Sequence, residues 1–198
     1  MPSVVDICNH AMDLLGAATI TSLTENSKEA RLCNRNFDKL RDDVFRSHPW
    51  NTAITRATLA KDSTAPAFGF ANQFTLPTDP YCLRVLSLWN SSVNNEVAAY
   101  DSNVMYKIEG RKILSNEGSC SITYIARITD TEQYDSLLSS AIAHRLASET
   151  AYAITGSNSV AQAMQGMYEI RLREAKSVDA MEGYPEQPQA DEYINIRY

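Results

Sequence analysis

Residues Ser27 to Asn51 read SKEARLCNRNFDKLRDDVFRSHPWN, the longest uninterrupted helical pattern in the first half of the chain. Ala30, Cys33, Phe37, Leu40 and Val44 recur at alternating steps of three and four, which places them on one stripe of an α-helix. Lys28, Glu29, Arg35, Asp38, Arg41 and Asp42 fall on the opposite face, so the spacing predicts one wet side and one buried side. Asn26 or Ser27 can cap the start, with Glu29 in the first turn. His48-Pro49 ends the helix, because the residue before proline is pushed out of the α region. Phe45 and Trp50 add aromatic bulk at the exit.

The segment before this helix is also helical in pattern. Ser3 caps a first helix, Asp6 completes a capping box, and Val4, Ile7, Cys8, Ala11, Leu14 and Leu15 form its stripe up to Gly16. The short link AATITSLTEN predicts that the two helices are antiparallel neighbours. After Trp50 the period changes. NTAITRATLA (Asn51–Ala60) alternates as a strand, and KDSTAPAFGFAN (Lys61–Asn72) is a loop. Gln73–Leu76 is a short extended piece, and YCLRVLSLW (Tyr81–Trp89) is the most apolar strand. Ser91–Asn95 turns the chain, and VMYKIEGRKILS (Val104–Ser115) reads as a hairpin turning at Glu109-Gly110, with Tyr106 and Ile108 on an apolar face. CSITYIAR (Cys120–Arg127) is the last strand. About five strands joined so briefly predict a largely antiparallel sheet.

Helical pattern returns from Thr131 or Asp135 to Ile154, stopping at Gly156. A fourth helix follows, capped by Ser157 or Asn158 and reaching about Met181, with Ala161, Met164, Tyr168, Leu172, Ala175 and Val178 as its stripe. Met167 and Ile170 make a second apolar edge suited to another subunit. The tail YPEQPQADEYINIRY (Tyr184–Tyr198) ends on Tyr193, Ile194, Ile196 and Tyr198. That alternation suits strand addition to a partner, or else the tail is an unstructured terminus. The expected fold is α+β: a four-helix bundle from both ends of the chain (residues 1–50 and 128–183), an inserted, largely antiparallel β domain (51–127), and an extended tail (184–198).

Composition narrows the function classes. Hydrophobic content of 44% and charged content of 21% in 198 residues are ordinary, and no apolar run is long enough to span a membrane. A net charge of −6 argues against a dedicated duplex-DNA binder. Cys8, Cys33, Cys82 and Cys120 form no CxxC pair and read as buried free thiols. With His10, His48 and His144 they show no metal-ligand spacing, so no metal and no cofactor is expected. Asp42-Asp43 point about 100° apart on a helix and read as a solvated pair. Ser47-His48 and His144-Glu149 lack a glycine-rich elbow, and His144 reads as a surface residue. No catalytic residue is expected, and residue chemistry alone points to a structural or interaction protein.

Several stretches together resemble the tail tubular protein A family, the head-to-tail adaptors of short-tailed bacteriophages. They are the segment from Ile7 to Asn51, FGFANQFTLPTDPYCLRVL (Phe68–Leu86), YKIEGRKILSN (Tyr106–Asn116), ITYIARITD (Ile122–Asp130) and ITGS (Ile154–Ser157). They follow the family's order over about Val5 to Gly183. The resemblance implies a virion protein, made in the host cytoplasm, that forms a ring of about twelve copies at the head–tail junction. It implies the portal protein and a tail nozzle protein (tail tubular protein B type) as partners, with tail fibres a further candidate. Double-stranded DNA would pass through the channel without specific binding. The acidic balance suits a lumen that repels phosphates. The competing reading is a DNA-packaging or head-completion accessory that contacts DNA directly.

Overall fold

The computed structural model describes residues 2–89 and 105–182. It is an α+β protein, in which two helices precede the strands and two follow them: α1 Val4–Leu14, α2 Lys28–Ser47, α3 Ser136–Thr155 and α4 Asn158–Met181. The helix ends follow from local chemistry. Ser3 and Asp6 form the capping box of α1, and Ser27, not Asn26, caps α2 by accepting from the Ala30 amide. Asp135 accepts from the Leu137 and Leu138 amides to start α3. Gly156 closes it at φ 70°, a backbone state that side chains with a Cβ rarely adopt.

The link after α1 does not bring α1 against α2 along their lengths. Asn9 holds the link instead, donating from Nδ2 to Ile20 O (2.9 Å) and accepting from Ile20 N (2.7 Å). Helix α1 packs chiefly on α3, which also contacts α2 and α4, so the expected α1–α2 pairing is a minor contact.

Six strands are described, not five, and they form two antiparallel three-stranded sheets. The first has the order β1 (Ile54–Leu59), β6 (Cys120–Ala126), β3 (Cys82–Trp89), and the second β2 (Asn72–Thr75), β5 (Lys112–Ser115), β4 (Tyr106–Glu109). Residues 51–53 form a 3-10 turn in which Trp50 O accepts from the Ala53 and Ile54 amides, so β1 starts three residues later than the alternation suggested. The hairpin turns on Gly110-Arg111, since Glu109 pairs with Lys112 across the ladder. Tyr106 and Ile108 are exposed along with the rest of β4, so the predicted apolar face is uncovered among the described residues. The Ser91–Asn95 turn lies outside them.

The central strand β6 explains the division into two sheets. Cys120, Ile122, Tyr124 and Ala126 point to a core shared with Phe74 of β2 and Ile113 of β5, while Ile125 points to the helices. Strand β3 also serves both sides. Its register shifts against β6 between Cys82 and Arg84 and between Val85 and Ser87, and Leu83 and Leu86 both pack on the helical core. Packing on both cores is why YCLRVLSLW is so apolar, although Arg84 and Trp89 on this strand are exposed.

Candidate functional site

The α2 stripe is buried as its spacing requires: Ala30, Cys33, Phe37, Leu40 and Val44. The chemistry concentrates at the C-terminal end of α2, where the helix has no glycine cap and its last carbonyls need donors from elsewhere. Val44 O accepts from Trp50 Nε1 (3.0 Å) and Ser47 Oγ (2.8 Å). Arg46 O accepts from Arg84 Nη1 of β3 (3.1 Å), and Ser47 O accepts from Lys176 Nζ of α4 (3.2 Å). Arg46 returns the contact by donating to Leu83 O (2.7 Å). Cations thus gather at the negative end of the helix dipole, and they come from two other elements.

Asp179 completes this corner. It is only 5% exposed, although it lies in the last turn of α4. Its carboxylate accepts from His48 Nε2 (3.1 Å) and from the Asn51 amide (3.1 Å), and Asn51 Nδ2 donates to Asp179 O (2.6 Å). Burial pulls the His48 pKa down while the Asp179 carboxylate pushes it up. The edge-to-face contact of His48 with Trp50, 4.8 Å between ring centroids, fixes the imidazole further. Asp179 takes the stripe position expected for Val178, which is 40% exposed, because the carboxylate, not the valine, faces the α2 exit.

A second set of contacts ties α2 to the strands. Arg41 is 5% exposed and not on a wet face as its position suggested; it donates to Asp38 (2.8 Å) and to Asp42 (2.9 Å). The other Asp42 oxygen accepts from Arg127 Nε just after β6 (2.8 Å), so Asp42 is half-buried in a network and is not a solvated residue. The Arg127 guanidinium lies 4.3 Å from the Tyr81 ring centroid and that of Arg111 lies 3.9 Å from it. Arg111, in the β4–β5 turn, donates to Pro77 O (2.6 Å). Asp38, Arg41, Asp42, Arg127, Tyr81 and Arg111 therefore form one chain from helix to second sheet.

The residues weighed for catalysis are separated. Ser47 Oγ bonds Val44 O and His48 bonds Asp179, so the two neighbours do not bond each other. Glu149 lies 3.8 Å from Arg145. His144 is 4% exposed, not at the surface, because α1 covers α3 there. Its Nδ1 must carry the proton, since the partner at 2.8 Å is the Ser140 carbonyl. His10 meets it edge to face at 5.7 Å, and burial lowers the His144 pKa. Cys8, Cys33, Cys82 and Cys120 are free and buried. A hydrogen bond to Cys33, together with burial, pushes the Cys8 thiol up. Among the described residues no three His, Cys, Asp or Glu side chains are grouped to hold a metal ion.

Of the candidate contact residues, Met167 is 38% and Ile170 48% exposed on α4, and Val178 and Met181 extend the edge toward its end. Tyr193, Ile194, Ile196 and Tyr198 lie outside the described residues. A separate open groove of about 440 Å³ crosses a part of the first sheet that is uncovered among the described residues, with Trp89, Arg56 and Ser121 in its wall. Phe68 stands 88% exposed on the loop after β1, one residue before Gly69 at φ 85°. Neither a scan against protein-family models nor a search of the curated proteins finds a match to this chain.

Proposed function

We propose that this protein is a head-to-tail adaptor of a short-tailed bacteriophage, a virion component that acts by assembling into a ring between the capsid portal and the tail nozzle. In this reading helices α1–α4 make a bundle from both ends of the chain, and the strands between α2 and α3 make an inserted domain. The observation that carries it is a shared core. Ile7 of α1, Phe37 of α2, Leu138 of α3 and Ala175 of α4 belong to one buried cluster although the strands separate them in sequence. That order is the one the tail tubular protein A resemblance implies.

Two further observations support assembly. The edge at Met167, Ile170, Val178 and Met181 is apolar and exposed, as a surface awaiting another subunit would be. The net charge of −6 suits a channel that conducts DNA without gripping it. Portal and nozzle are the proposed partners, and about twelve copies the proposed ring.

Co-sedimentation with purified portal rings tests the reading. The adaptor reading predicts that the chain pellets with portal and that duplex DNA binding stays weak at low salt. Tight binding to duplex DNA that falls steeply with salt, without portal association, would replace it with the DNA-contacting accessory.

A further inference from the structure

We propose that the end of α4, Ser177–Glu182, is a releasable element latched to the body by Asp179, able to open while the rest of the helix stays docked. Among these six residues Asp179 alone is buried; Ser177, Val178, Ala180, Met181 and Glu182 are exposed. The helix before them is anchored differently, through Tyr168, Leu172 and Ala175 in the apolar core. Opening the end therefore breaks the Asp179 contacts and uncovers little apolar surface, the condition for local instead of global unfolding.

The position of the carboxylate favours a latch over simple helix chemistry. A negative charge in the last turn opposes the helix dipole, so α4 by itself gains nothing from Asp179. The carboxylate is stabilised from across the fold, by His48 Nε2 and the Asn51 amide, while the Asn51 side chain donates to the Asp179 backbone carbonyl. Lys176, one turn earlier, donates to Ser47 O and ties the preceding turn of α4 to the body through a separate contact. With the latch open, Ser177–Glu182 separate from the junction of α2 and β1 while α4 up to Lys176 stays docked. This is a property of the single chain and does not depend on the adaptor reading.

Amide hydrogen exchange on the full chain tests it, comparing the wild type with D179N, H48Q and N51A. In the wild type, amides of Ser177–Glu182 should exchange through openings insensitive to mild denaturant, while those of α3 follow global unfolding. D179N should speed exchange of that end by about tenfold or more, the scale for losing a hydrogen bond to a charged group, with α1, α2 and α3 unchanged. H48Q and N51A should give smaller increases at the same residues. Equal exchange of the end in all four proteins would overturn the latch. So would a wild-type end that exchanges only with global unfolding. Should D179N fail to fold, H48Q decides alone: faster exchange confined to the end supports the latch, and uniform loss of protection refutes it.

Discussion

Trp50→Phe probes the corner where α2, β1 and α4 meet. Trp50 is fully buried, and its Nε1 donates to Val44 O at 3.0 Å. Phenylalanine keeps an aromatic ring at the site but removes that donor and part of the indole. The lost hydrogen bond contributes about 1 kcal/mol. Val44 O is not orphaned, because Ser47 Oγ still donates to it at 2.8 Å. The smaller ring leaves a space of roughly 40 Å³, and at about 24 cal/mol per Å³ that adds about 1 kcal/mol. The sum is ~2 kcal/mol, a fall of about 1 M in the urea midpoint for a chain of this size. The substitution also leaves Trp89, 42% exposed on β3, as the single tryptophan. Urea unfolding followed by far-UV circular dichroism and by Trp89 fluorescence should show both transitions moving down together, since the corner joins helices to the first sheet. A shift below about 0.5 kcal/mol would put Trp50 outside the set of core-disrupting positions. A Trp89 transition left at the wild-type midpoint while the helical signal moved would refute the mechanical link.

Further tests address the core, the buried histidine and the exposed edge. Phe37→Ala, at a 4% exposed position of the α2 stripe, should cost ~3–5 kcal/mol in chemical denaturation. Burial lowers the His144 pKa in the folded state, with His10 and Arg171 facing it and opposing its charge and Glu174 favouring it. The unfolded chain then binds the extra proton first, so stability is full above about pH 6.5 and falls as the pH drops through the unfolded-state value toward the folded one. Thermal melts of His144→Gln should show a flatter slope than wild type over that acid window. Replacing Met167 and Ile170 together by Asp should leave the melting of the isolated chain within about 0.5 kcal/mol, because both are exposed, yet abolish portal co-sedimentation. Unimpaired co-sedimentation would remove this edge from the assembly surface.

Helical periodicity was highly legible in this chain. The spacing of Ala30, Cys33, Phe37, Leu40 and Val44 and the caps Ser3, Ser27 and Gly156 depend on nearest neighbours along the helix, and they stand where those neighbours require. What depends on distant partners was not. Arg41 and Asp42 read as surface charges along the helix, and only the arrival of Arg127 from beyond β6 shows that Asp42 belongs to a network joining α2 to the strands. His144 reads as exposed beside Arg145 until α1 is laid on it. The two-sheet division escaped because pairing of β6 with both β1 and β3 leaves the hairpin to join β2, and no local pattern encodes that choice. Asp179 carried a readable signal. It continues the Tyr168, Leu172, Ala175 register by four, and a carboxylate at a core position needs partners. Val178, one residue earlier, fits the apolar pattern equally well, and only the α2 exit across the fold decides that the carboxylate faces inward.

Electron microscopy of the chain mixed with portal rings separates an adaptor from a DNA-bound accessory in one image. The adaptor account predicts portal rings bearing a second coaxial ring of this protein, with about twelve copies and helix α4 at a subunit boundary. Bare portal rings beside free monomers, or the protein decorating DNA instead, would contradict it.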